Sequence, residues 1–143
     1  MKFLVASRDE AVCGVLVREP YVVISISDPG SRQPKVKISG LCREVLHLRF
    51  HDAEPTEGFE LPSTIRLMTP ADALVTWNLI RRWQEEIETV LVHCHAGMSR
   101  SPAVAAAICR ALGQNDSRFF REYQPNMYVY GLILQAAGMD TDR

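Results

Sequence analysis

Apolar and polar positions follow each other along this chain in a pattern that predicts strands separated by helices. Short apolar or β-branched runs predict strands, and longer segments that open on capping residues predict helices. The strands are predicted at residues 3–5, 21–26, 44–50 and 90–93, and the helices at residues 8–18, 70–88, 102–112, 115–123 and 127–137. Because the two kinds of element alternate, the sequence predicts one α/β domain, residues 1–143, with a mainly parallel central sheet of four to five strands flanked by helices.

Capping and turn residues set the limits of these elements. Ser7 and Glu10 form a capping box for the first helix, which Pro20 ends. Thr69 is the N-cap of the second helix, and Asn115 is expected to cap the fourth. The second helix is expected to bury Leu74, Trp77, Ile80 and Trp83. Residues 28–31 predict a turn, residues 33–40 an exposed loop or edge strand, and residues 53–63 a loop.

Composition limits the classes of function. The 143 residues carry a net charge of −1, with 47% hydrophobic and 23% charged residues, which is typical of a soluble globular domain. The charge balance gives no reason to expect a nucleic-acid or membrane partner, and no apolar run reaches the ~20 residues that span a bilayer. The four cysteines lack C-x-x-C spacing, so no zinc site or disulfide framework is expected. No secretory segment is predicted either, and a reducing, cytoplasmic setting fits these features.

The candidate chemistry is concentrated in residues 90–102, where a β-branched run ends in Cys94 and an alanine-rich helix follows Arg100. A strand–loop–helix order of this kind suits a phosphate cradle, because backbone N–H groups converge at a helix N-terminus. Gly97 permits a loop conformation that a side chain resists. Ser99 or Ser101 is expected to cap the helix. The predicted phosphate-binding residues are His95, Ala96, Gly97, Met98, Ser99 and Arg100.

The residue types in this stretch predict covalent catalysis. A cysteine at a helix N-terminus beside a cation is favoured as the thiolate, which is the nucleophilic form. The planar fork of Arg100 can hold two phosphate oxygens. Ser101 can donate to the sulfur, and His93 is expected to orient the loop through its ring nitrogens. Together they predict attack on a phosphomonoester to give a phosphocysteine.

The residues from His93 to Ser101 read H-C-H-A-G-M-S-R-S. They resemble the active-site signature H-C-x-x-G-x-x-R-S of the cysteine-dependent protein tyrosine phosphatase superfamily, and the A-G-x-S-R-S form is most similar to its dual-specificity branch. The resemblance spans about residues 44–138 and is sharp only in the loop after Cys94. It implies a protein tyrosine phosphatase-like fold and a compact pocket. The implied substrate is a phosphorylated protein or a small phosphoester.

The resemblance also implies a general acid, an aspartate upstream of the cysteine. Asp52 ends a strand and begins a loop, 42 residues before Cys94, and we interpret residues 54–63 as an insertion in the acid loop. Asp72 is closer, but its place in the first turn of a helix already explains it. Glu54, Glu57 and the absence of any acid remain alternatives. No metal or cofactor is implied, because Arg100 and backbone dipoles supply the positive charge.

Several other residues have two interpretations each. His95 either tunes substrate preference or fills a variable position, and His51 is either a second acid or a turn residue. Cys42 is either a core residue or a partner for a protective disulfide with Cys94. Cys109 is expected to be packing, and the Pro125-Asn126 pair is expected to support the site structurally.

A second enzyme class also uses Cys-x5-Arg, the low-molecular-weight phosphatase or arsenate reductase type. Its cysteine lies near the N-terminus, whereas about ninety residues precede Cys94 here, so we reject that assignment. The alternative function is a phosphate-binding module that keeps the cradle but lacks a working acid. The sequence does not predict an oligomeric state.

Overall fold

The computed structural model describes residues 1–141, which form a four-stranded sheet and five helices. The strands are β1 Lys2–Ala6, β2 Tyr21–Ser27, β3 Cys42–Arg49 and β4 Thr89–His93. The helices are α1 Arg8–Cys13, α2 Pro70–Trp83, α3 Arg100–Ala111, α4 Ser117–Glu122 and α5 Met127–Ala136. Every predicted strand and helix is present, which confirms the α/β class.

The sheet has the order β1-β4-β2-β3, and every neighbouring pair is parallel. This confirms the predicted parallel sheet. Strand β2 lies between β4 and β3 and is buried along its whole length. A central parallel strand is covered on both faces, so its near-continuous run of apolar residues is the expected pattern.

Alternate side chains of the strands divide the core into two layers. Val22, Ile24 and Ile26 belong to the larger cluster, which also contains apolar residues of α2, α3, α4 and α5. Val23 and Leu91 point to the opposite face, where a smaller cluster collects Val17 and neighbouring loop residues. Because successive side chains of a strand point to opposite faces of the sheet, each strand contributes apolar side chains to both layers of the core.

Helix α1 is shorter than predicted, since it ends at Cys13 rather than at residue 18. Gly14 adopts φ +115°, and its N–H donates to the carbonyl of Glu10 at 2.9 Å. A helix that meets a glycine in this conformation ends there. The chain then runs without helix to β2, and Val17 is buried in the smaller core cluster.

Helix α2 is also shorter than predicted, since it ends at Trp83 rather than at residue 88. The predicted burial of Leu74 is wrong, because its side chain is 49% exposed. The buried residues of α2 are instead Ala73, Thr76, Leu79 and Ile80, at helical spacing. Leu74 therefore lies outside the buried face of the helix. Ile80 is buried as predicted, and Trp77 and Trp83 pack against the core while partly exposed.

Three smaller predictions can also be compared with the structure. Residues 33–40 form a loop, which is one of the two predicted alternatives. Asp116, and not Asn115, is the residue that precedes α4, although the side-chain oxygen of Asn115 accepts a hydrogen bond from the N–H of Ser117 at 2.8 Å. Helix α3 begins two residues earlier than predicted, at Arg100.

The carboxyl ends of all four strands meet at one edge of the sheet because the strands are parallel. Ligand sites of open parallel sheets lie at this edge. The residues that follow the four strands there are Ser7, Asp28, Phe50 and Cys94.

Candidate active site

The loop of residues 94–99 joins β4 to α3 and surrounds the sulfur of Cys94. The N–H of Gly97 donates to Cys94 Sγ at 3.3 Å, and Ser101 Oγ lies 3.1 Å from the same sulfur. Cys94 is 3% exposed, and the N-terminus of α3 is six residues further along the chain. The sulfur therefore lies near hydrogen-bonding groups and the positive end of a helix.

The loop also presents backbone donors that the protein leaves unused. Within residues 1–141, no atom accepts a hydrogen bond from the backbone N–H of His95, Ala96, Met98 or Ser99. Successive N–H groups around a helix N-terminus form an anion-binding cavity. We call this loop, from Cys94 to Ser99, the cradle.

Gly97 allows the cradle to lie directly on the chain between β1 and α1. It adopts φ +73°, and a Cβ at this position would lie 2.9 Å from the carbonyl carbon and oxygen of Ala6 and 3.0 Å from the N of Ser7. Two hydrogen bonds join the same surfaces, from Arg8 N–H to the His95 carbonyl at 3.0 Å and from Cys94 N–H to the Ala6 carbonyl at 3.4 Å. Glycine is therefore required here for both its conformation and its size.

His93 lies fully buried beneath the cradle. Its Nδ1 lies 3.3 Å from the carbonyl of Cys94, so Nδ1 carries the proton, and Nε2 accepts from the Ser25 hydroxyl at 2.6 Å. Burial is the main cause that lowers the pKa of His93 below 6.5, so the ring is neutral at neutral pH. This neutral ring connects the cradle to strand β2.

Arg100 is 5% exposed and is held by two acceptors on neighbouring strand ends. Its Nη1 donates to Asp28 Oδ1 at 2.6 Å and to the carbonyl of Phe50 at 2.8 Å. Both hydrogen bonds to described residues come from Nη1, so the donors on Nε and Nη2 remain for a ligand. The guanidinium is fixed before any anion arrives.

Asp52 lies beside the cradle although 42 residues separate it from Cys94. Its Oδ1 accepts a hydrogen bond from Ser99 Oγ and another from Asn126 Nδ2, both at 2.9 Å. The carboxylate is on an exposed residue, and Oδ2 has no donor among the described residues. Asp52, Cys94 and Arg100, which the sequence named as candidates, thus lie around one loop.

No protein-family model matches this chain, and no curated protein is similar to it at a significant level. Among solved structures, it is similar to human DUSP28, whose crystal structure matches with a TM-score of 0.58. The two chains are 18% identical, and the match covers 95% of this chain and 91% of that one. The fold is that of a dual-specificity phosphatase.

Two other acid candidates have structural roles in this dual-specificity phosphatase fold. Asp72 completes the capping box of α2 with Thr69 and lies 3.6 Å from Arg66. Glu54 accepts a hydrogen bond from the backbone N–H of Met127, at the start of α5. Glu57 is exposed in the loop and makes no side-chain hydrogen bond with the residues described. Asp52 is the candidate that contacts the cradle.

His51 closes the loop that follows Asp52. Its N–H donates to the Arg66 carbonyl at 2.7 Å, and its Nδ1 accepts from the Arg66 N–H at 2.9 Å. Residues 52–65 therefore form a loop whose two ends are joined by these hydrogen bonds. This explains the long spacing between Asp52 and Cys94, and it gives His51 a structural role.

The structure adds Asp28 and Asn126 to the residues around the cradle. The sequence assigned Asp28 only to a turn, but it is the first residue after β2 and pairs with Arg100. The rule that drew attention to Asp52, a polar residue where a strand ends, applies equally to Asp28. Asn126 caps α5 with its oxygen, and its Nδ2 donates to Asp52 and to the Ala53 carbonyl. The predicted supporting role of this segment therefore includes direct contact with Asp52.

The remaining thiols differ from Cys94 in setting. Burial raises the pKa of Cys42 and of Cys109, which disfavours their thiolates. Cys42 begins β3, level with Thr89 at the opposite end of the sheet from Cys94. Cysteines whose Cα atoms are more than about 7 Å apart cannot be bridged, so the considered Cys42–Cys94 disulfide is wrong. All four cysteines are free.

The described residues contain no cluster of three or more side chains suited to hold a metal ion. In the same part of the chain, no helix is long and apolar enough to cross a bilayer.

Proposed function

We propose that this protein is a cysteine-dependent phosphatase that hydrolyses phosphomonoesters through a phosphocysteine on Cys94. The observation that carries the proposal is the setting of the sulfur, which accepts the Gly97 N–H at 3.3 Å and lies 3.1 Å from Ser101 Oγ at the start of α3. These donors favour the thiolate over the thiol and stabilise it again when it leaves.

The cradle and Arg100 bind the phosphoryl group in this proposal. The free N–H groups of the cradle donate hydrogen bonds to its oxygens, and Nε and Nη2 of Arg100 hold two of these oxygens as a fork. In-line attack of the thiolate forms the S–P bond as the P–O bond to the leaving group breaks. Fixed donors stabilise the charge that spreads over the oxygens, and no metal is needed for this step.

Asp52 is the proposed general acid. Because its Oδ1 is held by Ser99 and Asn126, Oδ2 carries the proton that the departing oxygen takes. Asp52 then accepts a proton from water, whose oxygen attacks phosphorus and releases Cys94 as thiolate and the product as inorganic phosphate. Asp52 is then protonated again and Cys94 is again a thiolate, so both groups have returned to their starting states.

The proposed substrate is a phosphorylated protein, with phosphotyrosine and phosphoserine or phosphothreonine as candidates and small phosphoesters as alternatives. The match to DUSP28 supports a phosphatase of the dual-specificity type.

The test measures turnover of an aryl phosphate as a function of pH. Wild type is expected to show a bell-shaped profile, and Asp52→Asn is expected to lose the basic limb with a fall in kcat of about 10²–10⁴-fold. Cys94→Ser should abolish turnover but keep binding of inorganic phosphate, whereas Arg100→Lys should lose both. Cys109→Ser is the matched control, since it removes a buried thiol outside the cradle.

Near-normal activity of Cys94→Ser would show that the covalent mechanism is wrong. Phosphate binding by wild type without turnover would instead identify a phosphate-binding module.

A further inference from the structure

A cleft of about 470 Å³ lies next to the candidate active site, between α1 and the loop that follows β2. Arg8, Arg32 and Lys35 line it together with one acidic residue, Asp9. We call it the basic cleft. The chain as a whole carries a net charge of −1, so this excess of positive charge is local.

Arg8 connects the basic cleft to the cradle. Its backbone N–H donates to the carbonyl of His95, and its side chain lines both the cleft and a smaller depression of about 190 Å³ with His95 and Asp28. The same guanidinium contributes, after burial, to the lowered pKa of His93. Arg8 and His95 therefore make the basic cleft a neighbour of the cradle.

The walls of the basic cleft are held by hydrogen bonds that leave the cationic groups available. Arg8 Nη2 donates to the Arg32 carbonyl at 3.1 Å, and Arg49 Nη1 donates to the Ser31 carbonyl at 2.7 Å. Arg32 and Lys35 are exposed, and neither forms an ion pair with a described residue. Hydrogen bonds thus fix the backbone of the cleft, while the side chains of Arg32 and Lys35 have no ion-pair partner among the described residues. Such an arrangement suits a carboxylate or phosphate ligand.

We propose that the basic cleft is a substrate subsite, which accepts an acidic side chain close in sequence to the phosphorylated residue of a peptide. The inference rests on the proposed phosphatase function and adds to it a preference for substrates with an acidic residue near the phosphorylated one. Charge complementarity of this kind at the rim of a site raises the association rate and selects among substrates.

The test compares two phosphotyrosine peptides that differ only by Glu or Gln beside the phosphotyrosine. Wild type is expected to use the Glu peptide with about a tenfold higher kcat/KM at low salt, and high salt should reduce that preference. Arg32→Glu/Lys35→Glu should remove or reverse the preference, and Arg32→Gln/Lys35→Gln should give an intermediate value. Turnover of a small aryl phosphate, which lacks the second charge, is the reference for each protein.

Arg18→Glu/Arg81→Glu is the matched control. Both arginines are exposed and lie towards the opposite end of the sheet, before β2 and in the last turn of α2. This variant has the same net charge as Arg32→Glu/Lys35→Glu and should keep the preference. Loss of preference in both variants would mean that net charge, and not the cleft, selects the peptide, which would overturn the proposal.

The outcomes separate the two proposals. If wild type hydrolyses both peptides equally, the subsite is overturned while the phosphatase function stands. If no substrate is turned over, the phosphatase function fails, and peptide binding to Cys94→Ser protein by fluorescence anisotropy tests the cleft alone. The subsite is supported if this protein binds the Glu peptide more tightly than the Gln peptide and if Arg32→Glu/Lys35→Glu abolishes that difference. Equal binding of the two peptides overturns the subsite. A preference for a small bisphosphorylated ester, with none between the peptides, overturns the peptide assignment.

Discussion

The two sides of the candidate active site are built in different ways. On the cradle side, Cys94 and Gly97 are buried, and close backbone contacts with Ala6 and Ser7 fix them. The acid side is exposed, and side-chain hydrogen bonds from Ser99 and Asn126 hold Asp52 at the edge of a long loop. One side depends on close packing of the main chain and the other on individual polar groups, so mutations should affect them to very different degrees.

Among the variants that test this contrast, Gly97→Ala should have the largest effect. A Cβ at this position would collide with the backbone of Ala6, and the left-handed conformation adds about 1–2 kcal/mol of strain. Since a displacement of about 1 Å in a catalytic loop can cost about 100-fold in rate, we expect kcat/KM for an aryl phosphate to fall by at least that factor.

Gly113→Ala is the control for this variant. Gly113 has φ +81° and no atom within 4 Å of a built Cβ, so it reports the conformational strain without the collision. Thermal unfolding of both proteins separates the two costs. Equal losses of stability and activity in the two variants would contradict the close packing of the cradle on β1.

Asn126→Ser should have a smaller effect that is confined to the acid side. Serine can still cap α5, but it cannot reach Asp52 and the Ala53 carbonyl as Nδ2 does. A hydrogen bond to a carboxylate contributes about 1.5–3 kcal/mol, so we expect kcat to fall by about 10- to 100-fold at an unchanged KM. A change in KM alone would show that Asn126 serves substrate binding and not Asp52.

Ser99→Ala should reduce kcat only a few-fold, about two- to fivefold, because Asn126 still holds Asp52. The variant removes no helix cap, since the side chain of Ser99 makes no capping hydrogen bond to α3. The kcat values of Ser99→Ala, Asn126→Ser and the double variant, measured under the same conditions, form a double-mutant cycle with wild type. A loss in the double variant larger than the product of the single losses would show that both donors orient the same carboxylate.

His93→Asn should have the smallest effect, visible as a change in how stability depends on pH. Burial lowers the pKa of His93, so the unfolded chain binds the proton more readily than the folded protein does. The stability contribution is complete above pH 6.5 and is lost as the pH falls below that value. The melting temperature of wild type should therefore fall more steeply than that of His93→Asn between about pH 7.5 and about pH 5.5.

The matched control for this measurement is His95→Asn, which changes an exposed histidine of the same loop. The pKa of His47 is lowered by burial as well, but His47 is present in all three proteins, so its contribution cancels. Parallel slopes for wild type and His93→Asn would contradict a buried neutral imidazole.

The same contrast explains which features the sequence predicted. Cys94, Gly97 and Arg100 lie within seven residues, and their spacing along a strand, a loop and a helix fixes their relation locally. Asp52 was found by the rule that polar residues follow strand ends, but nothing local shows that residues 52–65 fold back on themselves. That closure depends on hydrogen bonds between His51 and Arg66, which no periodicity reveals.

Asp28 shows a different limit of sequence interpretation. It satisfied the same strand-end rule as Asp52, yet the turn chemistry of residues 28–31 already explained it, and its partner Arg100 is 72 residues away. The sequence overestimates the extent of α1 for a similar reason, because Gly14 lies inside the segment predicted as a helix, residues 8–18. In both cases the local sequence pattern is satisfied by a different structure from the one that the fold adopts.

The contact between Gly97 and the backbone of Ala6 and Ser7 joins the loop of the proposed nucleophile to the first strand of the chain. Any transient fraying of β1 from β4 would remove the surface on which the cradle rests, so the amides of Arg8 and Cys94 should exchange with solvent in the same opening event. An edge strand therefore supports the candidate active site from below.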